Sequence, residues 1–188
     1  HGGTGSKKHN KRALALTKGL LVNNICIKDR YLKLVDDIDK SMKKSGRSDA
    51  VRLLCVSKTF GADKIKEIYD LGHRDFGENY ISEALIKIEK LPNDINWHFI
   101  GHLQSNKVKK IKNKFKLIHS LDSISTAKII DEKMDSQAVL VQINIGDEDT
   151  KDGIEKNNLF SFLEEIKDFK RIKIDGFMIL PPYFENPK

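Results

Sequence analysis

A chain of 188 residues with 39% hydrophobic content suits one domain with a sizeable core, and its two cysteines, Cys26 and Cys55, supply neither a disulfide framework nor a zinc ligand set. No uninterrupted apolar run reaches the ~20 residues of a membrane span, and Ala13–Leu16, cut off from Leu20–Val22 by Thr17-Lys18-Gly19, makes neither a signal peptide nor an anchor, so the expected setting is cytoplasmic. The formal net charge of +7 suits nucleic acid or any anionic ligand, and where the charge lies matters more than its sum.

Residues 1–24 are set apart as an N-terminal extension. His1–Ser6 reads as a linker or vector-derived remnant, Lys7–Arg12 is basic, and 13–22 forms a short helix without an assigned role. The folded domain is expected over 25–188. From Ile27, the residues Tyr31, Leu34 or Val35, Ile38 and Met42 recur at three-to-four-residue intervals among charges, an amphipathic helix closed near Ser45-Gly46. The run Leu53-Leu54-Cys55-Val56 then ends abruptly in Ser57-Lys58, as a buried parallel strand does when a lysine stands at its carboxyl end. Such a lysine is a candidate Schiff-base nucleophile, because a desolvated ammonium gives up its proton where a guanidinium would not. Bringing its pKa from ~10.4 to ~7–8 takes roughly 3–5 kcal/mol of differential environment. Position alone favours the plainer alternative of a lysine that simply reaches water.

The same unit then repeats. A helix over Asp63–Leu71 stops at Gly72 before a strand over Asp75–Asn79. A helix marked by Ile81, Leu85 and Ile88 ends at Pro92 before Trp97–Gly101. A helix striped by Val108, Ile111 and Phe115 precedes Leu117–Asp122. Ser123–Met134 precedes the most apolar strand, Ala138–Ile145, and a last helix with Leu159, Phe162, Leu163 and Ile166 inward leads to Ile172–Leu180, which Pro181-Pro182 terminates. Six strands alternating with six helices require parallel pairing and an α/β fold. Periodicity leaves open whether the sheet is doubly wound or a barrel of the eight-stranded kind. In both, ligands bind at the strands' carboxyl ends, where Lys58, Asn79, His98, Asp122 and Asn144 recur.

Two charged stretches have plain readings. In Lys107–Lys116 the apolar residues share one helical stripe and the lysines the others, which is a solvated helix face rather than a nucleic-acid patch, and no aromatic residues interleave. The acidic turn Gly146–Gly153 lacks the alternating ligands and closing glutamate of a calcium loop, and no metal site is assigned. It carries Lys151, a second lysine on the ligand face.

The wording of the chain is specific at five points: Val56-Ser57-Lys58-Thr59, Phe76-Gly77-Glu78-Asn79-Tyr80, Trp97–Gly101 with Leu103–Lys107, Gln142–Ile145, and Gly176-Phe177-Met178 with Pro181-Pro182. In order and spacing, over residues 25 to 184, these strongly resemble the YggS/PROSC family of pyridoxal 5′-phosphate homeostasis proteins. The resemblance implies a TIM-barrel-like (β/α)8 fold of the alanine racemase N-terminal domain type, with about six βα units present. It implies pyridoxal 5′-phosphate as cofactor, held by Lys58 as an aldimine, with Asn79 facing it, beside the plainer role of a turn or helix-capping residue, and Met178 on the pocket floor, beside ordinary core packing. His98, buried in an apolar strand, is a further candidate for cofactor contact beside the plainer role of a satisfied core group. The family usually has proline where this chain has His102. Relatives continue for about two more βα units that cradle the phosphate, so the expectation is an incomplete barrel with weakened phosphate binding. The implied function is intracellular homeostasis of pyridoxal phosphate by a monomeric carrier that passes the cofactor to apo-enzymes. The alternative is an amino-acid racemase, which needs a second base that no motif here places.

Overall fold

A computed structural model describes residues 26–46, 48, 51–145 and 152–180, so the N-terminal extension, Lys151 and Pro181-Pro182 lie outside the described residues. The chain forms two units, one up to Arg52 and one from Leu53 onward. In the first, helix α1 (Ile27–Ser45) carries Ile27, Tyr31, Val35, Ile38 and Met42 half-buried on one stripe, with exposed positions between them. It closes at Gly46, whose φ of 66° lets its N–H donate to the Lys43 carbonyl at 3.3 Å. No described helix is long and apolar enough to cross a membrane.

The second unit alternates strand and helix. Its elements are β1 (Cys55–Val56), α2 (Ala62–Tyr69), β2 (Asp75–Glu78), α3 (Ile81–Lys90) and β3 (Asn96–Phe99). A 3₁₀ helix over Ser105–Ile111 leads to β4 (Leu117–Leu121), α4 (Ile124–Lys133) and β5 (Gln137–Asn144). The short β6 (Ile154–Glu155), α5 (Leu159–Ile166) and β7 (Ile172–Ile179) complete it. Every pairing is parallel, in the order β1-β2-β3-β4-β5, with β5 pairing both β6 and β7. All six expected strands are present, and β6 is an addition at the end of the acidic turn.

The near-continuous apolar strands follow from this layering. Phe76, Phe99, Ile118, Val139 and Val141 bury with Ile65 and Ile68 of α2, Ala127 and Ile130 of α4, and Phe162 and Ile166 of α5. Among the described residues β1 and β7 do not pair, and Ile174, Phe177 and Ile179 of β7 are exposed.

Three details differ from the sequence reading. The first strand stops at Val56, and the chain turns over at Lys58-Thr59 instead of ending the strand there. The lysine-rich stretch is 3₁₀ rather than α-helical, which stacks Val108 and Ile111 three residues apart on the buried side and brings Phe115 in beyond the helix end. In α3 the fully buried side chains are Ala84 and Lys87, whereas Ile81, Leu85 and Ile88 are half-buried. The helix faces the sheet through a small residue and a charged one, and the partners of that charge lie at the end of β1.

Candidate functional site

The parallel sheet aligns its carboxyl ends at one edge. Val56 pairs with Gly77, and Gly77 with His98, so Lys58 and Asn79 stand two residues beyond that register. The Ser57 N–H donates to Gly77 O at 2.9 Å, the last ladder bond of this strand, and Phe60 N–H then donates back to Ser57 O at 3.2 Å. Lys58 and Thr59 are therefore the two central residues of a tight turn. Thr59 has φ 68°, a left-handed conformation in which glycine or asparagine is usual and a β-branched residue is an outlier. Lys58 is exposed and makes no hydrogen bond or ion pair with the described residues.

Beneath this turn lies a buried ionic network. Lys87, its side chain 6% exposed, donates to Ser57 O at 2.8 Å, Glu78 Oε1 at 2.7 Å and Glu83 Oε1 at 2.6 Å, which uses all three ammonium hydrogens. Ser57 Oγ donates to the same Glu78 oxygen at 2.5 Å, and Thr59 N–H donates to Glu83 Oε1 at 2.8 Å. The bond from Lys87 holds the Glu83 carboxyl below its ordinary range against the opposing effect of desolvation. Glu78 is fully buried, and its Oε2 has no partner among the described residues. Sequence reasoning missed Glu78, Glu83 and Lys87. The available signal was a carboxylate closing an apolar strand, followed by a glutamate and a lysine spaced i, i+4 on the next helix.

Of the four expected cofactor residues, Asn79 directly follows β2, two residues past Gly77, the partner of Val56, and is half-buried. It lines a cavity of about 520 Å³ together with Tyr80, Ser82, His102, Gln104 and Lys107, which Lys58 does not line. Gly101 presses against it: a Cβ at Gly101 would fall 2.1 Å from Asn79 O, so glycine is what lets the end of β3 pack on this backbone. Met178 is half-buried on β7, paired with Gln142. His98 is 3% exposed and its ring nitrogens lie 2.9 Å from His119 Nε2 and 3.0 Å from Asp75 Oδ1. It sits one layer below the strand ends, as part of an Asp75–His98–His119 chain, rather than at the edge with Lys58. Burial, with the neighbouring His98, pulls the His119 pKa down to about 4. Burial, with Asp75, pushes the Cys55 thiol up to about 11.

Among the described residues, one group could offer ligand atoms to a metal ion: His102, Asp122 and Asp152, whose donor atoms lie within 4.8 Å of one another. His102 Nδ1 stands 3.4 Å from Asp122 and 3.6 Å from Asp152. Asp122 has its pKa raised, chiefly by burial.

Comparison with known proteins gives a consistent result. The profile of the alanine racemase N-terminal domain matches residues 34–188. The pyridoxal phosphate homeostasis protein of Aquifex aeolicus is 39% identical over 171 residues, covering 88% of this chain and 74% of the relative. The structure of PipY from Synechococcus elongatus with pyridoxal phosphate bound superposes with a TM-score of 0.63 at 32% identity, covering 76% of this chain and 69% of that one. Alanine racemase from Corynebacterium glutamicum superposes with a TM-score of 0.57 at 14% identity, covering 69% of this chain and 39% of that one, a likeness of fold alone. The repeated strand and helix units are thus those of the alanine racemase N-terminal, barrel-type fold.

Proposed function

The chain belongs to the pyridoxal phosphate homeostasis proteins, a family built on the alanine racemase N-terminal domain, and from that premise we propose that it binds pyridoxal 5′-phosphate through Lys58 and serves intracellular homeostasis of that cofactor. The observation that carries the reading is Lys58 itself, an exposed primary amine without a partner among the described residues, standing on a turn at the carboxyl edge of a parallel sheet. The cofactor supplies an aldehyde, with which a primary amine condenses as water leaves. Lys58 provides that amine. Asn79 offers amide donors and an acceptor from the end of β2, Met178 an apolar floor, and His98 is engaged by Asp75 and His119.

The chain acts as a monomeric cytoplasmic carrier that holds the cofactor and hands it to apo-enzymes. The likeness to alanine racemase from Corynebacterium glutamicum, at 14% identity, is one of fold and gives the racemase reading no further support. Borohydride reduction of the protein incubated with pyridoxal phosphate, followed by peptide mass spectrometry, tests the assignment. The expected result is a phosphopyridoxyl group on Lys58, lost in Lys58→Ala with the fold retained. An adduct confined to Lys151 or scattered over surface lysines overturns it. Light scattering that returns the mass of one chain supports the monomer, and a dimer mass refutes it.

A further inference from the structure

The turn that presents Lys58 is not a relaxed one. Its third residue, Thr59, sits at φ 68°, where a β-branched side chain crowds the backbone, and such a conformation persists only where the surroundings over-determine it. The surroundings here are specific. Glu83 accepts the Thr59 N–H at 2.8 Å, and Lys87 donates to the Ser57 carbonyl at 2.8 Å, the same carbonyl that closes the turn by accepting from Phe60. Ser57 is gripped a second time through its hydroxyl, at 2.5 Å from Glu78 Oε1. Lys87 ties these contacts into one network, since it bonds both carboxylates while itself buried. A residue on each side of Lys58 is thus held by side chains from the end of β2 and the first two turns of α3, while the Lys58 side chain makes none of these bonds.

We infer that Glu78, Glu83 and Lys87 form a clamp that fixes the Ser57–Phe60 turn in its strained conformation and so positions the Lys58 amine for condensation with the cofactor aldehyde. This rests on the assignment of Lys58 made above. None of the three touches the reacting atoms, and all act through the backbone as positioning residues. A buried ion pair is weak evidence for stability, because desolvation offsets much of its attraction. Holding a turn that the chain would otherwise leave gives this one a second role. Glu78 Oε2, which has no partner among the described residues, fits a network built around the geometry of the turn rather than around the full satisfaction of its own carboxylate.

The diagnostic variant is Glu83→Ala. Glu83 is 29% exposed, so its loss leaves the buried Glu78–Lys87 pair intact and the domain folded. In the cofactor-free protein, amide exchange of Thr59 and Phe60 should quicken about tenfold while that of β2 and β3 is unchanged, and the equilibrium constant for adduct formation at Lys58 should fall by about the same factor, equivalent to ~1.4 kcal/mol. Glu83→Gln, which keeps an acceptor for Thr59, should retain both properties. Thr59→Gly, which takes φ 68° without strain, should restore adduct formation in the Glu83→Ala background. If the unaltered protein carries its adduct away from Lys58, the assignment of Lys58 falls, and this inference with it. If the adduct is on Lys58 but Glu83→Ala leaves exchange and adduct formation as they were, or Thr59→Gly brings no rescue, the clamp alone is overturned.

Discussion

Replacing Lys87 by methionine keeps the length and volume of the side chain but removes three N–H donors at once. Lys87 is 6% exposed and Glu78 0%, with 2.7 Å between ammonium and carboxylate, so the carboxylate is left buried with only the Ser57 hydroxyl as donor. Because methionine fills the same space, little cavity term is expected and the loss is electrostatic. Breaking one side of a buried pair costs roughly 3–5 kcal/mol, a large share of the ~5–15 kcal/mol that holds a domain together. For a domain of this size the loss lowers the melting temperature by roughly 6–20 °C. Adding Glu78→Leu removes the stranded charge, and the double variant should recover most of the loss, since the Ser57 carbonyl still accepts from Phe60 N–H and its hydroxyl can donate to Gly77 O, 3.3 Å away. Urea titration of the native protein, the single variant and the double variant measures all three at constant slope. A single-variant cost below ~1 kcal/mol, or a double variant no more stable than Lys87→Met, would refute the reasoning, because either result means that Glu78 does not depend on Lys87.

Three further outcomes are expected. His119 resists protonation in the folded protein down to about pH 4, against 6.5 for its ordinary value, so unfolding takes up a proton between these values. Stability should therefore fall as pH drops through that window, and urea midpoints for His119→Gln should show a flatter slope there; an unchanged slope refutes the assignment. Cys55, its thiol pushed up to about 11, should resist alkylation at mildly alkaline pH, whereas the exposed Cys26 reacts, and two fast equivalents would contradict this. Gly101→Ala should cost ~1–3 kcal/mol and weaken cofactor binding, since its Cβ cannot share space with Asn79 O at 2.1 Å; a variant with native stability and binding would show that the β3 end moves freely.

The sequence made the order and type of the elements legible, because hydrophobic periodicity reports burial directly. The α1 stripe and the stop at Gly72 (φ 94°) stand where the pattern put them, and the helix expected from Ser123 is capped by that residue, whose hydroxyl accepts from Thr126 N–H at 3.3 Å. That a lysine follows the first strand was visible for the same reason, although the strand stops at Val56 and Lys58 stands in the turn beyond it. Hydrophobicity cannot report which charged residue is buried. In α3 the pattern of Ile81, Leu85 and Ile88 pointed to one face, yet Lys87 is the side chain taken inward, because Glu78, Glu83 and the Ser57 carbonyl await it across a sequence separation of up to 30 residues. Nor can a strand pattern foresee that Thr59 turns left-handed, since the conformation is imposed from α3 and not by threonine. His98 was read as either a cofactor contact or a core group. Its partners Asp75 and His119 lie on the neighbouring strands, and only the register of β2, β3 and β4 brings the three into line.

The carboxyl edge of the sheet is consequently uneven in how tightly it is bonded. Around Lys58 the strand ends are joined by charge-assisted bonds of 2.6 to 2.8 Å whose cation is buried, so displacing the turn breaks several strong contacts together. Along the same edge, beyond β3 and β4, His102 meets Asp122 and Asp152 only at 3.4 and 3.6 Å, with His102 and Asp152 about half exposed. The His102–Asp152 pair, exposed on both sides, contributes little at that separation, whereas Asp122 is largely buried. Under the proposed reading, in which Lys58 condenses with the cofactor aldehyde, the tightly bonded part of the edge sets the geometry at that amine.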